Sequence, residues 1–84
     1  MAQFEHNSAK FGYLNLEDMT CVQQALSKLG YSPGDADGKD GPKTREAVKQ
    51  FQTKAVIGID GIVGSETRKA LVSELDRQSA PAVS

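Results

Sequence analysis

Two stretches of this chain are copies of one another. Asp37-Gly38-Lys39-Asp40-Gly41-Pro42-Lys43-Thr44-Arg45-Glu46-Ala47-Val48 aligns with Asp60-Gly61-Ile62-Val63-Gly64-Ser65-Glu66-Thr67-Arg68-Lys69-Ala70-Leu71 at a constant offset of 23 residues. Six positions are identical in register, and Val48 is matched by Leu71. A repeat constrains the fold strongly, because each copy must be the same structural unit built twice. Asp-Gly makes a tight turn: the carboxylate bonds its own downstream backbone, and glycine accepts positive φ. The second glycine, three residues on, permits another bend, and a helix begins after it. Pro42 suits a first helical turn, where its missing N–H has no intrahelical partner to lose. Ser65 suits the N-cap of the second copy. Asp37, Gly38, Gly41, Asp60, Gly61 and Gly64 are therefore assigned to turns and caps. A fainter third copy places Val22, Ala25 and Leu26 against Thr44, Ala47 and Val48 at offset 22. It lacks the glycines and amounts to helix-level similarity.

Hydrophobic spacing supplies a leading helix. Asn15-Leu16-Glu17-Asp18 reads as a cap followed by first-turn acids. Leu16, Met19, Val22, Leu26 and Leu29 then recur at spacings of three and four, an apolar stripe that Gly30 stops. The second helix is expected from about Pro42 to Lys54, with Thr44, Ala47, Val48, Phe51 and Ala55 inward and Arg45, Lys49 and Gln52 on another side. The third is expected from about Ser65 to Arg77, with Thr67, Ala70, Leu71 and Leu75 inward. Val56-Ile57-Gly58-Ile59 is too short for a helix and reads as an extended segment covering the bundle, able to pair with part of Tyr31–Asp37. The fold class is mainly α: a compact three-helix bundle with an internal loop–helix pseudo-repeat. Residues 1–14 form an N-terminal arm, 15–77 the three-helix domain and 78–84 a flexible tail. Phe4, Phe11 and Tyr13 in the arm carry apolar surface suited to docking on the bundle.

Composition narrows the function. Ten basic against eleven acidic residues leave a net charge of −1, with no excess of cations for nucleic acid or an anionic membrane. Cys21 is the single cysteine, so an intramolecular disulfide and a cysteine-rich zinc site are excluded. Its place at the flank of the first helix's stripe suggests a half-buried, inert thiol. Met1 to Leu14 contains no apolar run long enough for a signal peptide or a membrane span.

The combined spacing resembles a known family. Leu26-Ser27-Lys28-Leu29-Gly30-Tyr31, Asp37-Gly38 with Gly41-Pro42-Lys43-Thr44, Ala47-Val48, Phe51-Gln52, Asp60-Gly61-Ile62-Val63-Gly64 and Thr67 to Leu71 are similar to the peptidoglycan-binding domain found beside many cell-wall hydrolases. The resemblance covers roughly residues 16–75. It implies a three-helix fold and binding of bacterial peptidoglycan, with catalysis done by an enzyme elsewhere in such chains. It also implies the cell envelope or periplasm; the missing signal-peptide pattern leaves the cytoplasm open. Two departures stand out. Lys39-Asp40 replaces the more apolar dipeptide usual between the first pair of glycines, and Val56 stands where the family often ends a helix with glycine.

The chemistry of the remaining residues points to binding. With Asp35 as position one of a calcium loop, Asp37 falls at three and Glu46 at twelve, but Lys39 at five and Asp40 at six break the pattern. No metal or other cofactor is expected. His6, the single histidine, is expected as a solvated residue of the arm, and no nucleophile–base pair is evident. The chain is not expected to be an enzyme. Tyr31, Arg45, Lys49 and Gln52 are the ligand candidates: a ring covers a sugar face, while guanidinium, ammonium and amide bond to peptide carboxylates and amides. The alternative is a protein–protein adaptor that reuses the same bundle within a secretion, phage or envelope assembly, a reading that Lys39-Asp40 favours.

Overall fold

The computed structural model describes residues 4–79. Three helices carry most of the chain: α1 (Met19–Lys28), α2 (Pro42–Ala55) and α3 (Ser65–Ser79). An antiparallel hairpin precedes them, β1 (Glu5–Ser8) and β2 (Gly12–Asn15), with His6 opposite Leu14 and Asn7 opposite Tyr13.

Helix α1 starts later than its apolar stripe suggests. Asp18 is the N-cap, and its carboxylate accepts a bond from the Thr20 N–H at 3.0 Å, satisfying one of the orphan donors of the first turn. Leu16 lies ahead of the helix but is wholly buried, and its N–H bonds to the Phe4 carbonyl at 2.7 Å. The stripe therefore continues inward through a turn rather than a helix. At the other end Gly30 takes φ 99°, and the Tyr31 N–H reaches back to the Leu26 carbonyl at 2.9 Å. That closes α1 as a glycine-based cap does.

Helix α2 runs one residue beyond Lys54 and ends without a glycine. Val56 itself takes the left-handed conformation, φ 59° and ψ 47°, and Ile57 N–H bonds to the Gln52 carbonyl at 3.1 Å. A β-branched residue there costs about 1–2 kcal/mol, and Val56, 89% exposed, recovers nothing by burial. Val56→Gly should stabilise the chain by about 1 kcal/mol, raising Tm by roughly 5 °C in calorimetry, the relief of strain exceeding the entropy that glycine adds to the unfolded chain. The segment 56–59 corrects the expectation of an extended cover. Among the described residues it joins no strand, and Ile59 is 58% exposed. With α2 already capped in the left-handed region, the chain turns away from the bundle surface before Ile59.

The core draws on every element. Phe11 and Leu14 from the hairpin, Leu16, Val22, Ala25 and Leu26 from the α1 region, Ala47, Val48 and Phe51 from α2, and Leu71 and Leu75 from α3 form one cluster. Each of the larger side chains contributes about 1.5–3 kcal/mol by leaving water. Strand β1 packs against α3 and β2 against α1. The N-terminal residues are thus a wall of the core: Phe11 docks in it and Phe4 packs half-buried against it, as expected, while Leu14 is buried where Tyr13, 56% exposed, points out. His6 corrects its expectation most plainly. It is 2% exposed, with Nδ1 2.6 Å from Asp76 Oδ1 of α3 and Nε2 2.7 Å from Ser8 Oγ. At the C-terminus Gln78 and Ser79 belong to α3, and the rest of the expected tail, 80–84, lies outside the described residues.

Candidate functional site

The two repeated turns match bond for bond. Asp37 Oδ1 accepts from the Lys39 N–H and Asp60 Oδ1 from the Ile62 N–H, each at 2.9 Å. Gly38 and Gly61 sit at φ 80° and 73°. The N–H of Gly41 bonds to the Lys39 carbonyl, and that of Gly64 to the Ile62 carbonyl, both at 3.1 Å. The carbonyls of Gly41 and Gly64 then accept the first intrahelical bonds, from Arg45 and Arg68, at 3.0 Å. The Lys39 and Ile62 amides, foremost among the causes, hold the carboxyls of Asp37 and Asp60 below the usual aspartate range. Both groups therefore favour folding above the ordinary aspartate pKa of about 3.9, and that contribution is lost as pH falls through their lowered folded values. Urea melts should show stability declining below about pH 4, with a shallower decline in Asp37→Asn plus Asp60→Asn.

Each turn is clamped by a buried glutamine from the preceding helix. Gln23 Nε2 donates to the Lys39 carbonyl at 2.7 Å and to Thr44 Oγ1 at 3.0 Å, while its Oε1 accepts from the Gly38 N–H at 2.9 Å. Gln52 Nε2 donates to Asp60 Oδ1, the Ile62 carbonyl and Thr67 Oγ1 at 2.9, 3.1 and 3.0 Å. Its Oε1 accepts from the N–H groups of Asp60 and Gly61 at 3.1 and 3.0 Å. The repeat unit is thus helix glutamine, turn, then helix threonine. Sequence reasoning missed it because the first copy has a longer loop: the glutamines are 29 residues apart, whereas the turns are 23 apart. The available signal was the pairing of an inward apolar residue with glutamine, Val22-Gln23 and Phe51-Gln52. Helix α1 therefore copies α2 at offset 29 in its clamp, not at the offset of 22 read from its apolar residues.

The four ligand candidates do not converge. Gln52, 1% exposed with its amide fully engaged, serves the scaffold and is corrected as a ligand group. Arg45 lies on the outward face of α2, with Nε 3.3 Å from Asp40 Oδ2 beside the first turn. Lys49, one helical turn on, covers the second turn: a Cβ on Gly61 would lie 3.0 Å from Lys49 Cε. Tyr31 is on the other flank of α2, edge-on to Phe51 with ring centroids 5.9 Å apart. It lines a hollow of about 510 Å³ with Leu29, Gln50, Lys54, Glu74, Arg77 and Gln78. Desolvation chiefly, with the nearby Glu74 carboxylate, raises the Tyr31 pKa, so the hydroxyl stays protonated at neutral pH. The outward α2 face is therefore a bridge between the two turns, and Tyr31 is a separate contact.

Shallow depressions open at both turns. The first, about 510 Å³, is lined by Asp37, Lys39, Gly41, Pro42, Lys43 and Thr44 together with the Pro33–Asp35 segment. The second, about 230 Å³, uses the repeat equivalents Asp60, Ile62, Gly64, Ser65, Glu66 and Thr67. One floor is thus built twice, with a polar lip at Lys39 and an apolar one at Ile62.

The His6 contacts have the connectivity of a nucleophile, base and acid relay. Ser8 Oγ, however, also accepts the Phe11 N–H at 3.1 Å, so the neighbouring amide is not free to hold an oxyanion. Neither Ser8 nor His6 lines a depression described above. The arrangement fastens the hairpin to α3. Among the described residues no group of three His, Cys, Asp or Glu side chains is placed to hold a metal, and no helix is long and apolar enough to cross a membrane.

Comparison with known proteins meets this geometry over the helical body. Residues 15–71 match the family described as "Putative peptidoglycan binding domain". The chain belongs to this family. It is 41% identical over 56 residues to N-acetylmuramoyl-L-alanine amidase CwlL of Bacillus licheniformis, covering 60% of this chain and 16% of that protein. A second relative from that organism, named as a probable N-acetylmuramoyl-L-alanine amidase, is 40% identical over 63 residues, covering 68% of this chain and 18% of the relative. The type VI secretion system spike protein VgrG3 of Vibrio cholerae is 37% identical over 68 residues, covering 66% of this chain and 7% of its own length. The chain spans less than a fifth of each of these relatives. No solved structure matches it significantly. The peptidoglycan-binding match takes in α1, α2 and both turns, but leaves out β1, most of β2 and the last two turns of α3.

Proposed function

We propose that this chain is a non-catalytic module that holds bacterial peptidoglycan, its outward α2 face taking the acidic stem peptide. The carrying observation is that the family match spans both clamped turns, whose rigid geometry sets Arg45 and Lys49 between two shallow depressions. Open depressions suit a polymer lying along a surface, and exposed cations between them suit its carboxylates. Tyr31 offers a ring on the opposite flank for a neighbouring part of the polymer. The amidase relatives support the ligand class, because such modules accompany proteins named for acting on that polymer. The cell envelope is the location this reading implies.

Purified sacculi provide the test. The chain should sediment with them, and Arg45→Ala with Lys49→Ala should reduce retention at least about fivefold while Tm stays within a few degrees, since exposed pairs are worth about 0–1 kcal/mol. Retention should also weaken as salt rises. A chain that stays in the supernatant would overturn the reading. A second reading, a protein adaptor within a larger assembly, is favoured by the exposed Val56, Ile59 and Ile62 beside the second turn and by the spike-protein relative. Its signature is a stoichiometric partner with no sacculus retention.

A further inference from the structure

The hairpin creates a groove that the matched family segment cannot build by itself. About 560 Å³ in volume, it lies between β2, one face of α1 and the segment at Asp35, and its lining includes Tyr13, Gln24, Ser27, Lys28 and Asp35. Tyr13 and its neighbours Phe11, Gly12 and Leu14 precede residue 15, where the family match begins.

We propose that this groove is a saccharide subsite, in which the Tyr13 ring covers a sugar face and Gln24 and Ser27 bond to hydroxyl and acetamido groups. Three observations support it. Tyr13 is 56% exposed, and its hydroxyl is anchored to Glu5 Oε2 at 3.2 Å, so the ring is presented outward and held at its far end. Gln24, Ser27 and Lys28 share one helix face by their spacing, and Asp35 stands across from them. Among the described residues the side chains of Gln24, Ser27, Lys28 and Asp35 have no partner within the fold.

In two of the other depressions part of the polar lining is tied up within the fold. At the second turn Gln52, Asp60 and Thr67 satisfy one another, and in the Tyr31 hollow Glu74, Arg77 and Gln78 do so. The hairpin groove keeps an aromatic face beside unengaged amide, hydroxyl and charged groups. A neutral polyol with flat apolar ring faces is the ligand that uses all of these together. Lys28 and Asp35 have opposite charge, which disfavours a strongly charged ligand of either sign. This inference rests on the peptidoglycan reading for its source of sugar, but its geometry is independent of Arg45 and Lys49.

The test is a two-dimensional NMR titration of the full chain with a soluble N-acetylglucosamine tetramer, run beside the sacculus assay. Amide shifts should centre on Gly12, Tyr13 and Gln24 to Lys28. Tyr13→Ala should bind the tetramer at least about fivefold more weakly, while Tyr13→Phe, which keeps the ring, stays within about twofold. Gln24→Ala, an exposed helix substitution, repeats the test if Tyr13→Ala fails to fold. Shifts confined to other surfaces, or wild-type affinity in both alanine variants, would overturn the subsite. Sacculus retention with no hairpin shifts overturns the subsite alone. Hairpin shifts without retention uphold it and overturn the peptidoglycan reading, and the absence of both overturns both.

Discussion

Gln52→Ala should be among the most damaging single polar substitutions in the chain. The side chain is 1% exposed and bonds the second turn through both its atoms, taking N–H groups from Asp60 and Gly61 and giving its own to Asp60, Ile62 and Thr67. Truncation strands the buried Gly61 N–H and leaves the Thr67 hydroxyl with only its 3.4 Å bond to the Ile62 carbonyl. Buried groups stripped of their partners cost about 1–3 kcal/mol each, so a loss of about 3–4 kcal/mol is expected. For a domain of this size that lowers Tm by roughly 15–25 °C, against a total stability of about 4–12 kcal/mol. Gln23→Ala should lose less, because Gln23 makes fewer bonds to its turn. Calorimetry of the two variants checks the order. A Gln52→Ala chain that melts with wild type but no longer binds sacculi would return Gln52 to the ligand face and refute the clamp.

His6→Ala is expected to free the hairpin. The imidazole joins Ser8 in β1 to Asp76 in α3, and its ring lies 5.8 Å from that of Phe11 in the core. Removal takes away two hydrogen bonds and opens a cavity at the seam between hairpin and bundle, at a cost of about 3 kcal/mol. The loss should be local first. Hydrogen exchange should quicken in Glu5–Asn15 well before it does in α2, since local opening has its own free energy. Uniform loss of protection through all three helices would show instead that the hairpin is integral to the bundle's cooperativity. If the hairpin groove binds sugar, His6→Ala should lose that binding as well.

Much of the body was legible in the residues. The two Asp-Gly turns are local chemistry: an aspartate bonding two residues ahead and a glycine at positive φ need no distant partner, so their conformation follows from four or five neighbouring residues. The helices follow similarly, because spacings of three and four leave one apolar face that must be covered. Helix ends were less secure. Asp18 and Asn15 are both good caps, and Val56 ends α2 in a conformation that its own side chain disfavours.

The candidate site was harder to read because burial of a polar group is decided from outside its helix. Arg45, Lys49 and Gln52 share one face of α2 by periodicity, and nothing within that helix separates them. The second turn folds back over the last of them and supplies partners for its amide, which turns a plausible ligand group into a clamp. Tyr31 was grouped with these residues but faces the opposite flank, beyond Phe51.

The amino-acid order alone thus determined the repeated turn, the helices it launches and membership of the family that shares them, since each rests on interactions between near neighbours. Only the tertiary structure decided the fate of His6, Gln23, Gln52 and the hairpin. Short strands of mixed polarity carry no periodic signal of their own, and a buried histidine or glutamine is stable only when residues far along the chain arrive to bond it. For His6 that residue is Asp76, 70 positions away.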